Sequence, residues 1–101
     1  MSARYLGSVV VGLDEQPAFG IDWTAVGTPS SPTAVLLDVT QGYLDVSAAG
    51  LSGAASVAGA VVTLPGIVGS ALALGHSYQL TNRVTVSGQP LSCYLIVAPE
   101  K

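Results

Sequence analysis

Charge is what this 101-residue sequence has least of: Asp, Glu, Lys and Arg make up 9% of it, where ordinary soluble domains carry roughly 25%. Three basic residues (Arg4, Arg83 and Lys101) face six acids (Asp14, Glu15, Asp22, Asp38, Asp45 and Glu100), for a net charge of −3. A nucleic-acid partner held through a basic footprint is thereby excluded. Half of the residues are hydrophobic and mean hydropathy is +0.59. A domain that stays apart from its neighbours spreads charge over its surface. A chain this poor in charge reads instead as one covered by partners or by a membrane.

The stretch from Val46 to Asn82 has no Asp, Glu, Lys or Arg, so a membrane span belongs there if anywhere. Such a helix needs about 20 apolar residues. The most apolar window, Val57 to Leu74, is broken by Gly59, Pro65-Gly66 and Gly69 and has no basic flank to orient it. No membrane partner is expected. Near the start, Val9-Val10-Val11 ends at Gly12, short of the about 7–15 apolar residues of a signal-peptide core, and the chain reads as unexported by that route. The lone cysteine, Cys93, allows no internal disulfide, in keeping with assembly in a reducing cytoplasm.

Catalytic and ligand chemistry is similarly thin. One His and one Cys make no zinc set. The acids lack the spacing of a calcium loop and read mostly as solvated surface charges. Gly50-Leu51-Ser52-Gly53 lacks the lysine of a phosphate loop. A Cys93–His76 catalytic pair has no supporting signature; Cys93 reads as a small buried hydrophobe and His76 as a turn residue. The expectation is no enzyme, no metal and no cofactor.

What is present is strand patterning. Twelve Gly and six Pro cut the chain into short pieces rich in Val, Thr, Leu and Tyr. Tyr5 to Val11 is a first strand. Ile21 to Val26 is a second, with Ile21, Trp23 and Ala25 on one face. Gly27 to Pro32 is a loop, since prolines restrict the backbone and donate nothing to a ladder. Thr33 to Thr40 puts Val35, Leu37 and Val39 on one face, and Gln41-Gly42 turns it into Tyr43 to Ser47 as a hairpin. Ala48 to Gly59 suits a loop, a thin strand or a short helix equally well. Ala60 to Leu64 is a strand, Pro65-Gly66 a turn, and Ile67 to Leu74 a short apolar piece.

The clearest alternation is Tyr78 to Val86, where Tyr78, Leu80, Val84 and Val86 point one way with Asn82, and Gln79, Thr81, Arg83 and Thr85 the other. After a turn at Ser87-Gly88-Gln89-Pro90, the strand from Leu91 to Ala98 is apolar on both faces: Leu91, Cys93, Leu95 and Val97 on one, Tyr94, Ile96 and Ala98 on the other. A small sandwich covers only one face of such a strand. The other is left for a partner.

These pieces predict an all-β fold: a single domain over residues 1–101, an antiparallel β-sandwich of about seven strands. Its core is expected to hold Trp23, Tyr78, Leu80, Val84, Val86, Leu95 and Val97, with the Tyr78 hydroxyl bonded to nearby backbone; the alternative for Trp23 is an anchor at a subunit contact. Candidate interface residues are Tyr5, Tyr43, Tyr94 and Ile96.

The Gly75-His76-Ser77-Tyr78 entry into the Tyr78 strand resembles that of immunoglobulin-like and fibronectin type III domains. More narrowly, Ile21-Asp22-Trp23-Thr24, Tyr78 to Val86, Gly88 and Leu95-Ile96-Val97 resemble small immunoglobulin-like virion proteins of tailed bacteriophages, some of them fibre-to-tail adaptors. Such proteins usually carry polar and basic residues after the turn glycine, where this chain has Gln89-Pro90-Leu91-Ser92-Cys93. The resemblance implies a non-enzymatic structural virion protein, assembled in the host bacterial cytoplasm. It would be a homo-oligomer whose partners are fibre, tail, portal-adaptor or capsid proteins. The alternatives are a capsid cement or decoration protein and a cell-surface or enzyme-appended binding module.

Overall fold

The alternation from Tyr78 to Val86 becomes a nine-residue strand at the heart of the larger sheet. The computed structural model describes residues 4–100, Arg4 by its backbone alone; residues 1–3 and 101 of the single-domain expectation lie outside the described residues. The strands are, in chain order, β1 (Arg4–Gly12), β2 (Gly20–Asp22), β3 (Ser30–Asp38), β4 (Leu44–Asp45), β5 (Ser56–Ala58), β6 (Val61–Thr63), β7 (Tyr78–Val86) and β8 (Gln89–Glu100). One helical turn, α1 (Ser47–Gly50), lies between β4 and β5. Two sheets result, β1-β8-β7-β3-β4 and β2-β6-β5. The fold is an all-β sandwich.

One pair departs from the antiparallel expectation, because β1 runs parallel to β8. Parallel neighbours need a long connection, and here the rest of the chain lies between the first strand and the last. The larger sheet is therefore mixed. The β7–β8 hairpin turns on Ser87 and Gly88 alone, with φ of 50° and 78°, the two positive values that match the turn to the twist of its strands. Val86 pairs with Gln89 and Thr85 with Pro90, so the strand resumes earlier than the four-residue turn expected from sequence. Proline is tolerated there because β1 first meets β8 at Cys93, leaving Pro90 on an edge.

The core lies between the sheets. Leu36 of β3, Tyr78, Leu80, Val84 and Val86 of β7, Leu95 and Val97 of β8 and Val11 of β1 point into it. They meet Ile21 and Val62 of the small sheet and Trp23, Leu51, Leu64, Ile67 and Leu72 from its connecting segments. The second layer is thus built as much from loops as from strands. Gly69 shows how closely these loops pack: a Cβ there would lie 2.1 Å from the Gly12 carbonyl oxygen and 2.8 Å from that of Glu15. Only glycine fits.

Several expected boundaries move, each for a local reason. The strand expected from Ile21 to Val26 stops at Asp22, whose carboxylate accepts hydrogen bonds from the backbone N–H and hydroxyl of Thr24, an Asx turn. Ala25 is consequently exposed rather than sharing a face with Ile21 and Trp23. The strand expected from Thr33 begins at Ser30, through a bulge in which Ser31 has φ of 50°. It ends at Asp38, which caps a 3₁₀ turn over Val39–Gln41 by accepting from the Gln41 N–H at 3.3 Å. Gly42 and Tyr43 are both left-handed, with φ of 73° and 63°. The expected two-residue turn and Tyr43–Ser47 strand therefore reduce to this wider connection and the short β4, although the Leu37–Asp45 pairing of a hairpin is present.

The undecided segment from Ala48 to Gly59 holds most of α1 and all of β5. The strand expected over Ala60–Leu64 is confined to β6, and the apolar piece after it is a Leu51–Ile67 bridge followed by a 3₁₀ turn at Gly69–Ala71. Among the described residues, no helix is long and apolar enough to cross a membrane.

Candidate interaction face

Strand pleating sends alternate side chains of the larger sheet away from the core, and the ladder pairings arrange those side chains in rows. One row is Tyr5, Tyr94, Thr81 and Val35; the next is Ser8, Ile96, Gln79, Leu37 and Asp45; Val10 and Ala98 follow. Seven of these are apolar or aromatic. Tyr5 and Val10 are 56% and 58% exposed, whereas Tyr94, Ile96, Val35 and Leu37 are half-buried by their neighbours alone. The Tyr5 and Tyr94 rings meet with centroids 5.5 Å apart and planes tilted by 41°, and the Tyr5 hydroxyl bonds Ser8 Oγ at 2.8 Å. Among the described residues, no second layer covers this face. Exposed apolar surface of this kind makes the face a candidate interaction site.

Three charges stand on the face: Arg83 on the central strand, Asp45 on the β4 edge and Glu100 at the end of β8, in phase with Ile96 and Ala98. Arg83, on β7 beyond Thr81, lies between Ser92 and Thr33, its neighbours across the ladders. Asp45 lies on the β4 edge opposite Leu37. The backbone N–H of Ser47, and after it the Ser47 hydroxyl, hold the Asp45 carboxyl below the usual carboxylate range, so it is ionised at neutral pH. Glu100 is exposed at the end of β8, past the last rung with β7. A trough of about 380 Å³ lies over Thr33, Val35, Leu37, Gln79, Thr81, Arg83 and Ser92.

The structure brings together three of the four candidate interface residues. Tyr5, Tyr94 and Ile96 share the outer face; Tyr43 sits on the connection before β4, on the opposite side of the sheet from Tyr5. Val10, Val35 and Leu37 belong to the face and were not singled out in sequence. The alternation of β3 carried the signal for two of them, since Val35 and Leu37 are out of phase with Leu36.

Behind the face, Trp23 is buried and bolts the two sheets together rather than anchoring a subunit contact. Its indole N–H donates to Asn82 Oδ1 at 3.1 Å, and Asn82 Nδ2 donates to the Thr33 carbonyl at 3.0 Å, so the inward amide of β7 is satisfied. The Tyr78 hydroxyl accepts from the Ala73 N–H at 2.8 Å, fixing the loop that enters β7.

Asp38 departs from the expectation of solvated acids: it is 2% exposed, because it is in phase with the core residue Leu36. Its Oδ2 lies 2.8 Å from His76 Nδ1, tying the end of β3 to the loop before β7. A His–carboxylate pair orients a base, yet a catalytic triad also needs a nucleophile within reach of the imidazole. Tyr78 is opposite Val97 and Asn82 opposite Cys93, so Cys93 lies about 13 Å along the strand from the level of Tyr78, with His76 farther still. Cys93 is also buried. Among the described residues, no three His, Cys, Asp or Glu side chains cluster to hold a metal. No protein-family model matches the chain, and no curated protein was found to be similar to it.

Proposed function

We propose that the protein is a non-enzymatic structural component of a tailed-bacteriophage virion, an adaptor that joins fibre to tail or sits at the head–tail interface. The observation that carries the assembly reading is the outer face of the β1-β8-β7-β3-β4 sheet, where apolar side chains of β1 and β8 on one side and Val35 and Leu37 of β3 on the other flank the polar row of β7, with no second sheet over them among the described residues. Its mechanism is burial: removing apolar area from water is favourable by ~25 cal/mol per Å², and a rigid sandwich loses little order when it docks. The low charge of the sequence then follows from a surface that neighbours cover. We further propose that the sandwich is immunoglobulin-like. Two features support that form: the division of β1-β8-β7-β3-β4 from β2-β6-β5, and a tyrosine at the start of the penultimate strand whose hydroxyl bonds backbone five residues upstream. The resemblance in sequence supports the virion setting.

The test is to measure the molar mass of the purified protein by light scattering, then to mix it with purified fibre, tail and capsid proteins and image the complexes by negative-stain microscopy. Stable complexes with sixfold or twelvefold symmetry are expected for the adaptor, whereas threefold clusters on a shell would assign it to capsid cement. A monomer that binds none of these proteins overturns the reading, and glycan binding by such a monomer would make it a binding module instead.

A further inference from the structure

We infer that the outer face is closed by the same face of a second copy, about a two-fold axis over Val35 that sets Arg83 of each chain against Asp45 of the other. This rests on the reading of the face as an assembly surface and names its first partner.

Arg83 and Asp45 are two strands apart across the sheet and four residues apart along it, roughly 16 Å at ~4.8 Å between strands and ~3.3 Å per residue. That is too far for a pair within one chain, and among the described residues the one ion pair is His76 with Asp38. The midpoint between them is Val35: β3 lies between β7 and β4, and Val35 is opposite Thr81, which is midway between Arg83 and the Gln79 rung that leads to Asp45. A two-fold axis in the contact plane, through that point and perpendicular to the line joining the two charges, exchanges them. Each Arg83 then meets the Asp45 of the other copy, and the contact is made twice, as an isologous interface requires. Axes that stack Asp45 on Asp45, or Arg83 on Arg83, set like charges together and are disfavoured.

Shape agrees with this axis. On a flat lattice of the same spacings, it carries Tyr94 of one copy onto the trough between Leu37 and Gln79 of the other. An aromatic ring thereby enters the hollow over Val35, Leu37 and Gln79. The strands of the two copies cross nearer to orthogonal than to aligned, one of the two ways in which sheets stack. Four strands of about nine residues and the two-residue β4 give a whole face of roughly 600 Å² in projection, and an axis over β3 overlaps part of it, an interface at the small end of the range.

The experiment is analytical ultracentrifugation of the full chain, with urea unfolding to verify that each variant folds. The wild type is expected to be a dimer. Arg83→Asp and Asp45→Arg should each weaken dimerisation by at least about tenfold, and the double variant should return to within about threefold of wild type. Asp45→Asn keeps an acceptor for Ser47 and isolates the charge; it should weaken the dimer less than Asp45→Arg. Tyr94→Ala should also weaken it. Single reversals without effect, or rescue of Arg83→Asp by Glu100→Arg instead of Asp45→Arg, would overturn the axis. A wild-type monomer that still binds virion proteins overturns the pairing and leaves the assembly reading standing, whereas a monomer that binds none overturns both.

Discussion

Leu95 and Ile96 are neighbours on β8 with nearly equal hydrophobicity, and they have opposite fates. Leu95 is buried against the small sheet with Cys93 and Val97, while Ile96 stands on the outer face between Ser8 and Gln79. The same holds for the sheet as a whole: its inner face is covered by β2, β5, β6 and their loops, and its outer face by no second layer among the described residues. Hydrophobicity along a strand therefore does not separate a core from an interface. On the proposed function, what separates them is whether the same chain or another one supplies the cover, and stability of the monomer should respond to one face and assembly to the other.

The largest effect is expected from the covered side. Leu95→Ala removes buried methyl groups and should cost about 2–5 kcal/mol in urea unfolding, against about 1 kcal/mol or less for Ile96→Ala on the half-buried face. Equal losses would break the comparison and make Ile96 part of the core. Next comes the polar bolt across the core: Asn82→Ala leaves the Trp23 indole N–H and the Thr33 carbonyl without their partner, at about 1–3 kcal/mol for a buried group stripped of its hydrogen bond. The outer-face Thr81→Ala should stay within about 0.5 kcal/mol.

Ile96→Lys reverses the order of the two readouts. Thermal unfolding should show a change of about 1 kcal/mol or less in the monomer, while light scattering should show loss of assembly, since a charge is placed inside the buried contact. Loss of both together would assign Ile96 to the fold.

The smallest effect is in acid. Asp22, through the Thr24 hydroxyl and then its N–H, and Asp45, through the Ser47 N–H and then its hydroxyl, are lowered from 3.8 in the folded chain. Below about pH 3.8 the unfolded chain therefore binds more protons than the folded one. The stability these groups contribute is present above that pH and is lost as pH falls through the lower folded values. Asp22→Asn and Asp45→Asn should make the fall in stability below about pH 3.8 shallower; an unchanged acid profile would show that these turns form equally in the unfolded chain.

The β7–β8 hairpin was the most legible part of the molecule. Its alternation is long, its turn is marked by Gly88, and each inward residue of β7 was identifiable by phase, Asn82 included. Half of the candidate face was legible as well, because a final strand apolar on both sides implies a second cover. Trp23 shows where pattern reading stopped: apolar spacing alone extended β2 to Val26, but the Asp22 side chain competes for the Thr24 N–H and ends the strand. Asp38 shows it again, since a carboxylate reads as solvated until His76 arrives from a loop distant in sequence.

The sequence by itself determined that this chain forms β-strands, which residues of β7 and β8 share a face, and that charge is scarce. Those are local facts, set by period-two geometry and composition. Only the tertiary structure decided that the Leu36 face of β3, and not the Val35 face, points inward, that β1 lies parallel to β8 rather than beside β2, and that Tyr5, Tyr94 and Ile96 share a surface while Tyr43 stands apart. Alternation is symmetric between the two faces of a strand; the second sheet and the non-local ladder break that symmetry.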